Sequence, residues 1–116
     1  MSYISKGWVS MVDTTSMEET TVASIINRRR RQLLVHSVIY YKLNENLISD
    51  DQWSKWGVEL EELQKQYPKI SAECVYSEAF KDFDHSSGMN LPLEDPWAVH
   101  KARYLLDLAR EKQSVL

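Results

Sequence analysis

Cysteine is nearly absent. Cys74 is the only one in 116 residues, which excludes an internal disulfide and a zinc site built on paired cysteines. One thiol and no disulfide fit a reducing compartment. Glycine and proline are scarce as well, three of each, so long stretches run without a residue that interrupts a helix. No apolar run approaches the ~18 residues of a membrane span. The opening MSYISKGWVSMVD lacks the apolar block of a signal peptide. An excess of positive charge is also missing, and the net charge of −3 gives no global field toward nucleic acid. These absences predict a cytoplasmic chain with no membrane association and no nucleic-acid partner.

What is present is an ordinary globular composition, 43% hydrophobic and 27% charged. The length suits one domain with its own core. Residues 1–15 show no sustained helical period and read as an N-terminal arm, with Trp8 and Val9 either docked on the body or part of a frayed end. Residues 16–116 read as all-α: a small single-domain bundle of about four helices. A central helical hairpin occupies about 17–68, and C-terminal helices about 71–112. Ser16 and Glu19 match a capping box, so the first helix is expected to begin near Met17. Its second half is apolar around most of its circumference (Leu33, Leu34, Val35, Val38, Ile39, Tyr40, Tyr41), the mark of a central helix.

Ser49 and Gln52 form a second capping pattern. Trp53, Trp56, Leu60, Leu63 and Tyr67 follow at steps of 3, 4, 3 and 4, a clean apolar seam. Pro68 limits that helix. Ser71 is placed to cap a third, shorter helix containing Val75, Tyr76, Ala79 and Phe80. The segment from Asp82 to Asp95 reads as a loop, expected to lie over the hairpin and bury Leu91 or Leu93. Asp95-Pro96 starts the last helix, a capping carboxylate followed by proline at the first helical position.

If the hairpin helices pack antiparallel, Tyr40, Tyr41, Asp50 and Trp53 gather at one end of the pair. Aromatic rings there can stack a flat ring, and Asp50 can accept hydrogen bonds from ribose hydroxyls or an amide. The same residues have plainer readings: Asp50 as a helix cap, Tyr40 and Trp53 as core. The run from Arg28 to Arg31 rings its helix, because successive residues point about 100° apart. Arg28 and Arg31 are the candidates for a phosphate or partner contact. The alternative is a solvated collar, partly paired to Glu18, Glu19 or the acidic second helix. His36, His85 and His100 do not cluster as metal ligands must, and His36 reads as a hydrogen-bonded core or edge residue. The stretch from Asp82 misses the calcium-loop register, since its glycine falls seventh rather than sixth. No nucleophile-elbow motif accompanies the serines. The residues therefore assign no catalytic group and no metal site.

The stretch from Arg31 to Pro68 resembles the small N-terminal helical domain, domain Ia, of NAD-dependent DNA ligases. The matching elements are Tyr40-Tyr41, Ile48-Ser49-Asp50, Trp53, and then Leu60, Leu63 and Tyr67-Pro68. In that family the domain closes over the nicotinamide mononucleotide half of NAD, and the resemblance implies that Tyr40, Asp50 and Trp53 are the contact positions. Three departures stand out. Tyr41 replaces the usual histidine, Trp53 replaces a tyrosine, and Ser54 replaces an acidic anchor. The part from Ser71 onward resembles small standalone ligase-Ia-like proteins encoded by bacteriophages of Gram-positive bacteria, through Phe80-Lys81-Asp82-Phe83-Asp84, Ser87-Gly88 and Leu91-Pro92. That likeness implies the cytoplasm of a bacterial host.

A ligase activity is not expected. The family's attacking lysine sits in Lys-x-Asp-Gly, and the nearest approach here, Lys81-Asp82-Phe83-Asp84, lacks the glycine. The expectation is a non-catalytic binding module that requires no cofactor and whose ligand is NAD or nicotinamide mononucleotide. The alternative is a phage-encoded interaction or counter-defence factor, an inhibitor of a host protein, that keeps the fold without the ligand. It would engage a host or phage protein partner.

Overall fold

The described helices are α1 (Met11–Tyr41), α2 (Asp50–Gln66), α3 (Pro68–Glu73), α4 (Ser77–Phe80) and α5 (Pro96–Val115), with no strand among the described residues. The computed structural model describes residues 11–115, with side chains over 18–112. The domain is all-α, as the hydrophobic periodicity predicts. Of the arm expected over 1–15, residues 1–10, with Trp8 and Val9, lie outside the described residues, whereas 11–15 already belong to α1 and are not an arm. α1 is already helical at Met11, so Ser16 sits inside the helix rather than capping it. No glycine or proline lies between Gly7 and Tyr41, so the capping-box pattern meets nothing in the chain that would stop the helix there.

α1 is central. Its Ile26, Leu33, Leu34, Val38 and Ile39 are fully buried, and it packs against both α2 and α5. Asn44 ends this part of the chain in the left-handed conformation (φ 61°), which asparagine tolerates, and the Glu45 N–H returns to the Ile39 carbonyl at 3.0 Å. The Ser49 hydroxyl then accepts the Gln52 N–H at 3.0 Å and caps α2. α2 runs back along α1 antiparallel. Near the turn, the Trp53 indole N–H points at the Leu33 carbonyl (3.4 Å). Further along, Arg29 meets Glu59 at 2.6 Å. On α5, Ala98 and Ala102 are fully buried. Asp95 accepts the Ala98 N–H at 3.0 Å, the expected cap.

The expected third helix is instead two short ones. Ser71 is buried within α3 rather than capping anything, and Tyr76 breaks the run with φ 57° and ψ 34°. The cause is competition from α1 for the backbone at Val75. The Val75 N–H donates to Asn27 Oδ1 (2.9 Å), and the Val75 carbonyl accepts from Arg30 (2.8 Å). Both groups are satisfied from outside, so a continuous helix has nothing to gain there. The left-handed turn costs Tyr76 about 1 kcal/mol. It is held by the Tyr76 hydroxyl, which donates to Asp95 Oδ2 at 2.9 Å. Burial and that contact push the phenol up to about 12.

Arg30 is the residue that joins these pieces. It is 1% exposed. Its Nε and Nη2 both donate to Gln64 Oε1 (3.0 and 2.7 Å), and Nη1 donates to the Val75 carbonyl. The guanidinium lies 5.8 Å from the centre of the Phe80 ring, and Gln64 passes the chain of contacts on to the Phe80 carbonyl (3.0 Å). Burial lowers the affinity of this group for its proton, but a guanidinium stays charged. Arg30→Ala is therefore expected to cost about 3 kcal/mol, because buried acceptors lose their donors. Arg31→Ala, on an exposed side chain, is expected to cost less than about 0.5 kcal/mol. Urea unfolding of both variants tests this, and equal losses would contradict the role given to Arg30.

Candidate functional site

The turn between α1 and α2 opens a cleft of about 320 Å³. Tyr40, Tyr41, Asp50 and Trp53 all line it, together with His36, Ser37, Ser54 and the loop from His85 to Gly88. The four residues singled out in the sequence thus converge on one open hollow. Tyr40 is 51% exposed, so it is not core. Its ring meets the Tyr41 ring edge-on, with centroids 4.9 Å apart. Trp53 serves both purposes, lining the cleft while its ring packs against Phe83 at 6.0 Å. Asp50 is not the cap of α2, since Ser49 occupies that position. Asp50 sits at the first helical position with an exposed carboxylate, near the positive end of the helix.

The far wall comes from the loop, and two glycines let it approach. A Cβ on Gly57 would lie 2.8 Å from His85 Cβ. A Cβ on Gly88 would overlap Ser37 Oγ and come within 2.9 Å of the Trp53 ring. Glycine inside a helix costs about 1 kcal/mol relative to alanine, and Gly57 sits there because the loop runs directly across it. Around this crossing Leu91 is buried and Leu93 half-buried, as expected. The Tyr41 hydroxyl lies 3.2 Å from Ser87 Oγ, closing the rim. The His85 imidazole meets Glu61 at 2.7 Å, and its backbone N–H donates to the same carboxylate.

Two polar atoms in the cleft residues were not legible in the sequence. His36 Nδ1 and Ser37 Oγ are buried and have no hydrogen-bond partner. His36 was expected to be hydrogen-bonded, and it is not at that nitrogen. Its ring instead leans on Trp56, 5.8 Å between centroids. Burial lowers its proton affinity, so it is held as a neutral imidazole with one donor and one acceptor nitrogen. Buried polar groups are ordinarily paired. Both atoms are out of contact with solvent, and Gly88 lies directly over the Ser37 hydroxyl, so they sit behind the wall of the hollow rather than on its open face.

Other sequence readings change. Arg28 and Arg31 do not line this cleft. They face a separate groove between α1 and α5. Arg31 lies nine residues before Tyr40, about 14 Å along the helix axis. Of the four arginines, Arg29 pairs with the acidic second helix as expected, whereas Arg30 is core. The fold also brings Asp84 and His85 beside Glu61, with ligand atoms within 4.8 Å of one another, a grouping that spacing alone did not reveal. The His85–Glu61 contacts fasten the loop to α2. The Ser86 N–H donates to Asp84 at 2.7 Å and holds that carboxyl below its ordinary range.

No helix among the described residues is long and apolar enough to cross a membrane. Comparison with protein-family models, curated proteins and solved structures returns no match. The likeness to the ligase domain therefore rests on its sequence motif alone.

Two outcomes are expected. Gly88→Ala must push the loop off Ser37 and Trp53, at a cost of about 1–3 kcal/mol for overpacking; an unchanged urea midpoint would show that the loop yields freely. His36 makes stability pH-dependent. The unfolded chain, with its histidine near the ordinary ~6.5, binds the proton more readily than the folded chain. Stability is therefore full above that pH and falls as the pH drops through it. Urea midpoints at pH 7.5 and 5.5 should differ more in the wild type than in His36→Gln, and equal differences would remove His36 as the cause.

Proposed function

We propose that the chain is a non-catalytic binding module whose hairpin cleft takes a flat, cationic ring bearing a carboxamide, the nicotinamide mononucleotide half of NAD. The observation that carries this reading is the convergence of Tyr40, Tyr41 and Trp53 with Asp50, the one carboxylate, on a single open hollow. A carboxamide offers both a donor and an acceptor, which the Asp50 carboxylate and the hydroxyls of Tyr40 and Ser54 in the cleft lining can meet. A pyridinium ring gains from electron-rich Tyr and Trp faces and from the negative charge of Asp50. No lysine or arginine lines the cleft, so the ring and ribose supply the affinity and the phosphate adds little. The likeness of Tyr40, Asp50 and Trp53 to the ligase contact positions supports the same ligand.

A second reading draws on a different surface. Tyr104 and Leu108 are exposed one turn apart on α5. An exposed aromatic and aliphatic pair suits a protein partner, as a phage-encoded inhibitor of a host protein would require. Calorimetry separates the two readings. On the first, nicotinamide mononucleotide and nicotinamide riboside bind with similar affinity. Asp50→Asn then weakens both about tenfold, since a hydrogen bond to a charged group is worth about 1.5–3 kcal/mol. Tyr40→Ala also weakens both without unfolding the exposed site. No heat and no thermal shift at millimolar ligand would remove the cofactor reading and leave the α5 surface as the functional one.

A further inference from the structure

The groove between α1 and α5 has the opposite electrical character to the hairpin cleft. It encloses about 540 Å³ and is lined by Arg28, Arg31 and Lys101 with no carboxylate among its lining residues, in a chain of net charge −3. Neither Arg28 nor Arg31 makes a hydrogen bond or ion pair among the described residues. The Lys101 ammonium sits over the Tyr104 ring at 5.2 Å rather than on an acid. The neutral side chains add to the bias. Asn27 Oδ1 is occupied by the Val75 N–H (2.9 Å), and Gln32 Oε1 by Arg29 (2.7 Å). Each amide oxygen is thereby already engaged by a donor, which leaves the NH2 groups of Asn27 and Gln32 as further donors beside the three cations.

An aromatic completes it. Trp97 lines the groove and is 43% exposed at the start of α5. Three cations beside a half-exposed indole are the elements that hold a phosphate next to a planar base. The volume is that of a small-molecule site rather than of a flat surface. We infer that this groove binds a nucleoside phosphate, with the phosphates on Arg28, Arg31 and Lys101 and the base against Trp97. The site is distinct from the hairpin cleft, with which it shares only the lining residue His36, and the assignment does not rest on what the cleft binds. The same chemistry could be offered by the end of a nucleic-acid strand. The acidity of the chain as a whole favours the free nucleotide, because long-range repulsion opposes a polyanion.

Calorimetry on the full chain with ADP, inorganic pyrophosphate and a short single-stranded oligonucleotide tests the assignment. ADP is expected to bind with a Kd below about 1 mM, more weakly as salt is raised. Arg28→Ala with Arg31→Ala should weaken ADP and pyrophosphate alike by about tenfold or more. Both side chains are exposed and unbonded, so the fold is retained, which circular dichroism checks. Trp97→Ala should weaken ADP about fivefold or more and leave pyrophosphate unchanged. No ADP binding by the wild type, or ADP binding that survives the double arginine change, would overturn the site. Equal losses for ADP and pyrophosphate in Trp97→Ala would overturn the base contact. Tighter binding of the oligonucleotide with the same arginine dependence would replace the nucleotide by a nucleic-acid end.

Discussion

A buried guanidinium holds this fold together. Taking a charge out of water is costly, and the cost is bearable only where its donors find acceptors. Arg30 finds them on α2, through Gln64, and on the connector after α3, through the Val75 carbonyl. No carboxylate takes part, so the arrangement is a hydrogen-bonded network rather than an ion pair. Its geometry fixes where the chain turns after Cys74 and hence where Tyr76 bends. Tyr76 in turn holds Asp95, and Asp95 caps α5. The position of the last helix is thus transmitted from one α1 side chain through a short series of polar contacts. Lysine could not replace it, since a single ammonium lacks the planar fork that reaches both acceptors.

The sequence was most legible where local chemistry decides the outcome. Ser49 and Asp95 cap the helices they were read to cap. The apolar seam from Trp53 to Tyr67 faces α1, and Leu91 goes under the loop. These are consequences of period and of a few residues in a row. Reading failed where distant groups compete for the same backbone. Nothing near Val75 announces that Asn27 and Arg30 will take its N–H and carbonyl, so one expected helix became two. The arginine run shows the same limit. Its members point in four directions, but which of them is buried depends on what packs opposite, and that is a property of the assembled bundle.

The site was partly visible for a similar reason. Aromatic and acidic side chains announce themselves by type, so Tyr40, Tyr41, Asp50 and Trp53 stood out, and the hairpin brings them to one hollow. Ser37 and Gly88 are too common to attract notice. Their meaning comes from contact: a serine hydroxyl without a partner lies under a residue whose lack of a side chain lets the loop close directly over it. The charged surface is likewise divided by the fold rather than by the sequence. Asp50 on α2 and Arg28 and Arg31 on α1 lie within about twenty residues of each other, yet the fold presents them to separate hollows of opposite sign.

His36 belongs to both of those hollows. One imidazole lines each, so a single side chain is common to the two volumes. A guest that turns or presses this ring on one side reshapes the space on the other. Whatever free energy the first arrival spends on the ring is then spared, or charged, to the second, and reciprocity requires the effect to be equal in both directions. A small helical domain can in this way couple the occupancy of one chamber to that of its neighbour through one side chain.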